Sequence, residues 1–563
     1  MPQKANTLQP APVDSSQLFA PLGRVELARK GPAIYYPTIL DSKDEYIRVG
    51  GYCQMLALKV LPPERFDTVL ALCHHPAIKE RAFDFFQAGL LPDLAAHVAS
   101  MPSTNPDTVR TGLMKAELAF DHAAVCVSRA GLFLVTGEVK DLVRAARDVE
   151  HIGGWRAAAE WFVRAMAISP IDPYPAAELC RVLAEANQFA LITDLNKVLG
   201  RAGLHPFIVG VYAANTLLEN GDPKACLAKL ALLKPPSVPG SPLANTHGYA
   251  LRLAAEAQDK LGDYQASYRS YVEMNRADMT PGIDGKAMIR IAQRDAAIAY
   301  PRLSPMSRDD VTMLLGFPRS GTTLLEMVLD SHPEIEAMEE PTTWDAAMAQ
   351  LRLGTRPKAA ALLGQPGGGV FEAARDRYYT EVERRRKKSG ARFVVDKYPM
   401  RTIYAVPLSR LLPDQKYIFS IRHPFDVVLS CFRQRFERNA GMANFHTIKD
   451  GIEFYDFTMS QWFSVHSLAD TQVKYVRYDE LVTSFDATLQ GVLDFIGAEW
   501  NEGVRDFAEG SQSRSALTPS YQKIRRGLSI GVQSAWRRYS FLFEGQEAAP
   551  LRKWADFFGY ESK

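Results

Sequence analysis

Cysteine is scarce in this 563-residue chain: Cys53, Cys73, Cys126, Cys180, Cys226 and Cys431 are scattered, with no CxxC pair among them. That argues against a disulfide framework or a cysteine-ligated zinc site, and for free thiols in a reducing compartment. An excess of one charge is also missing. The 66 Lys and Arg against 64 Asp and Glu leave a formal net charge of +2. No global field draws the chain to nucleic acid or an anionic membrane, so any anion site must be local. Nor is there a run of about 18 uninterrupted apolar residues, the length an ordinary membrane span needs. The nearest approach, Ala123–Val135, is short and contains Arg129. Residues 1–23 are rich in Gln, Pro and Ser and lack the apolar segment of a signal peptide. They are expected to be a disordered N-terminus, and the protein cytoplasmic. No group of residues has convincing metal-ligand spacing.

What is present is ordinary globular composition, 47% hydrophobic and 23% charged, in a chain too long for a single core. From about Asp41 to Tyr300 apolar residues recur every three or four positions, with Pro or Gly between segments, which predicts helix after helix. Residues 24–149 are read as a helical region of unknown role. In residues 150–303 a small turn residue, an aromatic and then small residues recur most clearly around Trp155 and Tyr264 and more loosely around Phe189 and Pro223, and these four anchors are spaced by 34, 34 and 41. A period near 34 is that of tetratricopeptide (TPR) helix pairs. Such a half could bind a protein or mediate dimerisation; an irregular helical bundle is the plainer alternative.

The pattern changes after Pro281-Gly282 and Ser304-Pro305, and residues 304–563 are read as a separate α/β domain. Val311–Leu315, Arg392–Val395, Tyr417–Ile421 and Val473–Val476 are short apolar or β-branched runs with helical stretches between them. That predicts a P-loop-type parallel sheet flanked by helices, with ligands at the carboxyl ends of the strands. The first run leads into Gly316-Phe317-Pro318-Arg319-Ser320-Gly321-Thr322-Thr323 and then an apolar helix. Strand, glycine-bounded loop and helix N-terminus make a phosphate cradle: inward N–H groups, bending at the glycines, and the positive end of the helix dipole. The spacing is GxxxxG, but Thr322 stands where a nucleoside-triphosphatase has Lys. The cation, Arg319, is inside the loop instead.

This arrangement resembles the 5′-phosphosulfate loop of sulfotransferases that use 3′-phosphoadenosine 5′-phosphosulfate (PAPS), the tyrosylprotein branch in particular, which carries a similar P-R-S-G-T-T run. The resemblance implies that Arg319, Ser320, Gly321, Thr322 and Thr323 hold the 5′-phosphate and sulfuryl group. Three later segments in family order extend it over residues 311–540. Arg422 after a strand, with Ser430 eight residues on, is similar to the family's 3′-phosphate anchor, where a strand-end Arg and a hydroxyl suit a dianion. Tyr478 in Tyr478-Asp479-Glu480-Leu481 looks like the family tyrosine that reaches the nucleotide. Arg525, Arg526 and Gly527, with Trp536 nearby, resemble the late basic-glycine loop. Ser520 loosely matches the serine that faces the sulfuryl group.

For the chemistry, the resemblance implies that Lys397, just after a strand, touches the bridging oxygen. Cytosolic small-molecule enzymes place a His two residues later, where this chain has Pro399. The stretch Leu329-Asp330-Ser331-His332-Pro333, ending in Glu339-Glu340, instead resembles the L-D-x-H-P…G-E-E segment of the tyrosylprotein enzymes. This sets Glu340 on their catalytic base, with Glu339 beside it. Those enzymes have an Arg two residues past the base; Thr342 stands there, which counts against a protein-tyrosine acceptor. With Arg319 and Lys397 supplying positive charge, transfer needs no metal. The implied function is sulfuryl transfer from PAPS to a hydroxyl or amine, leaving adenosine 3′,5′-bisphosphate, with the acceptor undetermined: protein, glycan or small molecule. A P-loop kinase is the enzymatic alternative, and a non-catalytic repeat scaffold the other. The run Glu383–Lys388 reads as a solvated helix end, not a nucleic-acid patch.

Overall fold

The computed structural model describes residues 13–39, 138–234, 242–279, 282–306, 308–354, 369–436, 439–505, 507 and 534–561, and between 42 and 133 a scatter of short pieces. The chain divides into two compact units between Leu261 and Gly262. The sequence-based boundary at 304 lies farther on, because helices Tyr264–Asp278 and Lys286–Ala296 join the α/β unit. Asn275 donates to the Phe432 carbonyl, and Arg435 holds the Asp278 carboxylate from two nitrogens.

The first unit is helical. Helices Val139–Ile168, Pro173–Glu185, Phe189–Ala202, Pro206–Glu219, Pro223–Ala231 and Pro242–Lys260 follow one another with short turns between most of them. Prolines open several of these helices, where the missing N–H costs nothing, and the Asp172 and Asp222 side chains cap the exposed amides. The 34-residue spacing has a local meaning. Trp155 follows the break at Gly154 (φ 77°), and Phe189 and Pro223 each begin a helix just after a left-handed residue, Asn187 (φ 58°) or Gly221 (φ 85°). Trp161, Phe162, Leu179, Leu183, Ile192, Leu195 and Leu199 fill the core between these helices. Residues 13–22 depart from the expected disorder: Asp14 caps the short helix Ser15–Leu18, while Phe19 and Leu22 are buried in the same core. A Gln-, Pro- and Ser-rich composition is outweighed there by two well-placed apolar side chains.

The second unit holds five parallel strands in the order β2-β3-β1-β4-β5: β1 Val311–Gly316, β2 Ile335–Glu339, β3 Phe393–Lys397, β4 Lys416–Ile421 and β5 Val473–Arg477. β1 and β3 are buried on both faces, as the apolar runs require when helices cover each side. The chain moves from β1 outward to β2 and back to β3, then crosses to β4 and β5 on the other side. That reversal opens a crevice at the carboxyl ends of β1 and β4, where ligands bind in such sheets. Gly316 is in register with Ser420, so β1 and β4 end nearly level, and Leu314 is in register with Lys397, so β3 ends just short of them.

Candidate active site

The phosphate-type loop is held closed by its neighbours. Gly316 (φ 149°) donates to Thr402 Oγ1 (3.1 Å), and that hydroxyl donates back to the Gly316 carbonyl (2.6 Å). Ser420 donates to the Ser320 carbonyl (2.8 Å). A Cβ on Gly316 would lie 2.7 Å from the Ser420 carbonyl oxygen, and one on Gly321 (φ 101°) 2.5 Å from the Tyr478 ring, so both glycines are required. Gly321 is the N-cap of helix Thr322–Asp330, whose first amides and dipole face the loop. The Ser320 hydroxyl is buried and has no hydrogen-bond partner among the described residues. A buried orphan hydroxyl at a helix N-terminus fits an anionic phosphate or sulfonate oxygen.

Side chains distant in sequence close over this loop. Arg319, itself left-handed (φ 71°), donates from Nε to Ser430 Oγ (3.1 Å). Arg422 follows β4, reaches the Arg319 carbonyl (3.4 Å) and lies over the Tyr478 ring, 4.5 Å from its centroid. Tyr478 begins a helix directly after β5. Arg319, Ser320, Gly321, Arg422, Ser430 and Tyr478 thus share one corner, with Thr322 and Thr323 buried in the adjoining helix turn. Ser520, Arg525, Arg526 and Gly527 lie outside the described residues. The segment beyond them returns to this corner: Asp426 accepts from the Ser534 and Trp536 amides, and Trp536 packs on His423.

Lys397 ends β3 fully buried, its ammonium 3.1 Å from Glu326, 3.1 Å from Glu340 and 4.0 Å from Glu339. Burial alone would lower its pKa; the carboxylates of Glu326, Glu340 and Glu339 outweigh that and leave it raised. Glu340 is left-handed (φ 42°), its amide donates to the Lys397 carbonyl (2.8 Å), and its side chain is 36% exposed. A non-glycine residue held in this region is strained, and strain of this kind collects at functional sites. The turn beyond it rests on a buried pair: Arg401 meets Asp396 at 2.5 Å and also donates to the Pro341 carbonyl and Thr343. Thr342 accepts from Arg385 (2.8 Å).

Two histidines followed by proline are tied to the backbone. His332 accepts from the Glu334 amide and approaches the Glu499 carbonyl; His423 approaches the Glu561 carbonyl. The basic run after Glu383 is not simply solvated. The Lys388 ammonium donates to the carbonyls of Asp330, His332 and Ile335, pinning the turn that leads into β2. Glu326, Thr402, Ser420 and Arg401 were not anticipated. Glu326 had a signal, being the lone carboxylate in the apolar run Leu324–Leu329. The other three had none, since a single Thr, Ser or Arg acquires meaning only from what packs beside it. Among the described residues no group of three His, Cys, Asp or Glu could hold a metal, and no helix is long and apolar enough to cross a membrane.

Residues 312–502 match the model of the sulfotransferase family. An uncharacterized protein of Aquifex aeolicus is 24% identical over 339 residues, 55% of this chain and 41% of that protein. Protein-tyrosine sulfotransferase 2 of Gallus gallus is 24% identical over 232 residues, 39% of this chain and 61% of the enzyme. The chain therefore spans less than two thirds of the length of either relative. Among solved structures, the sulfotransferase domain from the Synechococcus PCC 7002 olefin synthase aligns at 18% identity with a TM-score of 0.34, covering 47% of this chain and 98% of that one.

Proposed function

With a sulfotransferase-family domain over residues 312–502 as the premise, we propose that the chain moves the sulfuryl group of PAPS to a hydroxyl or amine acceptor. The observation that carries this is the closing of Arg319, Ser430, Arg422 and Tyr478 over one phosphate-type loop that keeps a buried hydroxyl on Ser320 with no partner among the described residues. The loop amides, Ser320, Thr322 and Thr323 hold the 5′-phosphate and sulfuryl oxygens, and Arg422 with Ser430 takes the 3′-phosphate. Arg525, Arg526 and Gly527 close over that phosphate and Ser520 faces the sulfuryl group, on the resemblance alone.

PAPS supplies a sulfur already bonded to a good leaving group. The acceptor oxygen or nitrogen forms the new bond to sulfur as the bond to the 5′-phosphate oxygen breaks. The electron pair leaves with adenosine 3′,5′-bisphosphate. Glu340 takes the acceptor's proton, and Lys397 and Arg319 face the charge that builds on the leaving and equatorial oxygens. The partly exposed Glu340 is reachable by an acceptor, whereas the buried Lys397 is fixed at the strand end. The helical half is proposed as TPR-like, binding a protein or a second copy. A cytoplasmic setting suits the buried free thiols Cys126, Cys180, Cys226 and Cys431.

Thermal shift with adenosine 3′,5′-bisphosphate, with ATP·Mg²⁺ and with buffer alone tests the reading. Stabilisation by the bisphosphate is expected. Stabilisation by ATP·Mg²⁺ alone would favour a kinase, and by neither a scaffold.

A further inference from the structure

We propose that Glu326 is a positioning residue that permanently anchors the Lys397 ammonium beneath the phosphate loop, while Glu340 is its exchangeable partner. This rests on the sulfuryl-transfer reading above.

Both carboxylates lie 3.1 Å from the same nitrogen, yet their settings differ. Glu326 is fully buried on the helix that starts at the loop, four residues after Thr322 and among Leu324, Leu325, Met327 and Val328. To leave the lysine it would have to give up an ion pair inside an apolar interior, with no water to replace it, which is strongly unfavourable. Glu340 is 36% exposed and can turn toward water or an acceptor at little cost. Three carboxylates around one ammonium also leave excess negative charge beside a loop built for an anion. A donor oxygen therefore competes for the lysine with Glu340, the partner that can move, and not with Glu326. Once displaced, Glu340 no longer shares its oxygen with the ammonium and is free to turn to the acceptor. Glu326 meanwhile keeps Lys397 charged and in place.

The test uses full-length protein and two double-mutant cycles, Glu326→Gln with Lys397→Met and Glu340→Gln with Lys397→Met, read by urea midpoint. Lys397→Met takes the ammonium away from the fully buried Glu326 carboxylate, so Glu326→Gln/Lys397→Met should have a higher midpoint than Lys397→Met alone. Adding Glu340→Gln to Lys397→Met should change the midpoint little. In kinetics, Glu326→Gln should keep its calorimetric affinity for adenosine 3′,5′-bisphosphate. Its turnover should drop by about 10- to 100-fold, the cost of shifting a reacting group by about 1 Å. The basic limb of its pH–rate profile should move to lower pH, because the lysine has lost a stabilising carboxylate; a merely structural role would leave that limb in place. Equal coupling in the two cycles, or wild-type turnover and basic limb in Glu326→Gln, overturns the proposal. Failure of the wild type to bind adenosine 3′,5′-bisphosphate or use PAPS would instead sink the sulfuryl-transfer reading, and the stability cycles would still report on the anchor by themselves.

Discussion

Replacing Asp396 with alanine should come close to unfolding the α/β unit, while replacing Asp396 and Arg401 together should not. Asp396 is fully buried, and Arg401 is 2% exposed in its side chain. One Asp396 oxygen meets the guanidinium at 2.5 Å; the other accepts from the Thr343 hydroxyl (2.7 Å) and from Tyr378 (3.1 Å). Burial disfavours the charged Arg401, but the adjacent Asp396 more than compensates and keeps its pKa raised. Removing the carboxylate strands a buried cation, at about 3–5 kcal/mol. Two hydroxyls also lose their acceptor, at about 1 kcal/mol each. Even the lower figure is a large share of the roughly 5–15 kcal/mol that holds a typical domain together. With a urea slope of about 2 kcal/mol/M, the midpoint should fall by about 2.5–3.5 M. Asp396→Ala/Arg401→Met removes both charges and puts an apolar side chain in the space, so it should recover most of the loss. Because Arg401 also holds the Pro341 carbonyl and Thr343, the single variant should lose turnover through a displaced Glu340 turn. An Asp396→Ala midpoint within about 0.5 M of wild type, or a double variant weaker than the single one, would refute the reasoning.

Glu340→Gln should keep nucleotide affinity within a few fold and drop turnover by about 10²–10⁴, the usual worth of a positioned base, while His332→Asn stays mild. Near-normal turnover in the first with a dead histidine variant would remove the glutamate mechanism. Arg422→Ala should weaken adenosine 3′,5′-bisphosphate by about tenfold or more, the cost of about 1.5–3 kcal/mol for a charged hydrogen bond. Adenosine 5′-phosphosulfate should lose less, and equal losses in calorimetry would contradict the 3′-phosphate assignment. EDTA should leave transfer from PAPS nearly unchanged, since in the proposed reaction Arg319 and Lys397 face the developing charge; inhibition reversed by Mg²⁺ would point to a kinase-like site.

Much was legible from residue order because its causes are local. Apolar β-branched runs become buried strands, glycines at 316 and 321 allow backbone that a Cβ would block, and a turn residue before Trp155, Phe189 or Pro223 starts a helix. The parallel α/β class and the corner formed by Arg319, Ser430, Arg422 and Tyr478 follow from motifs that lie at the carboxyl ends of strands. Packing decided the rest. Asp396 and Lys397 are sequence neighbours, but successive side chains on a strand point to opposite faces. One therefore met Arg401 and Tyr378, and the other met Glu326 and Glu340. Which carboxylate reaches which cation depends on where the helix carrying Glu326 and the turn after β2 carrying Glu340, 57 residues from Lys397, settle on the sheet. That is a tertiary matter, because a charge buried in a crowded interior takes whichever partner the fold brings within reach.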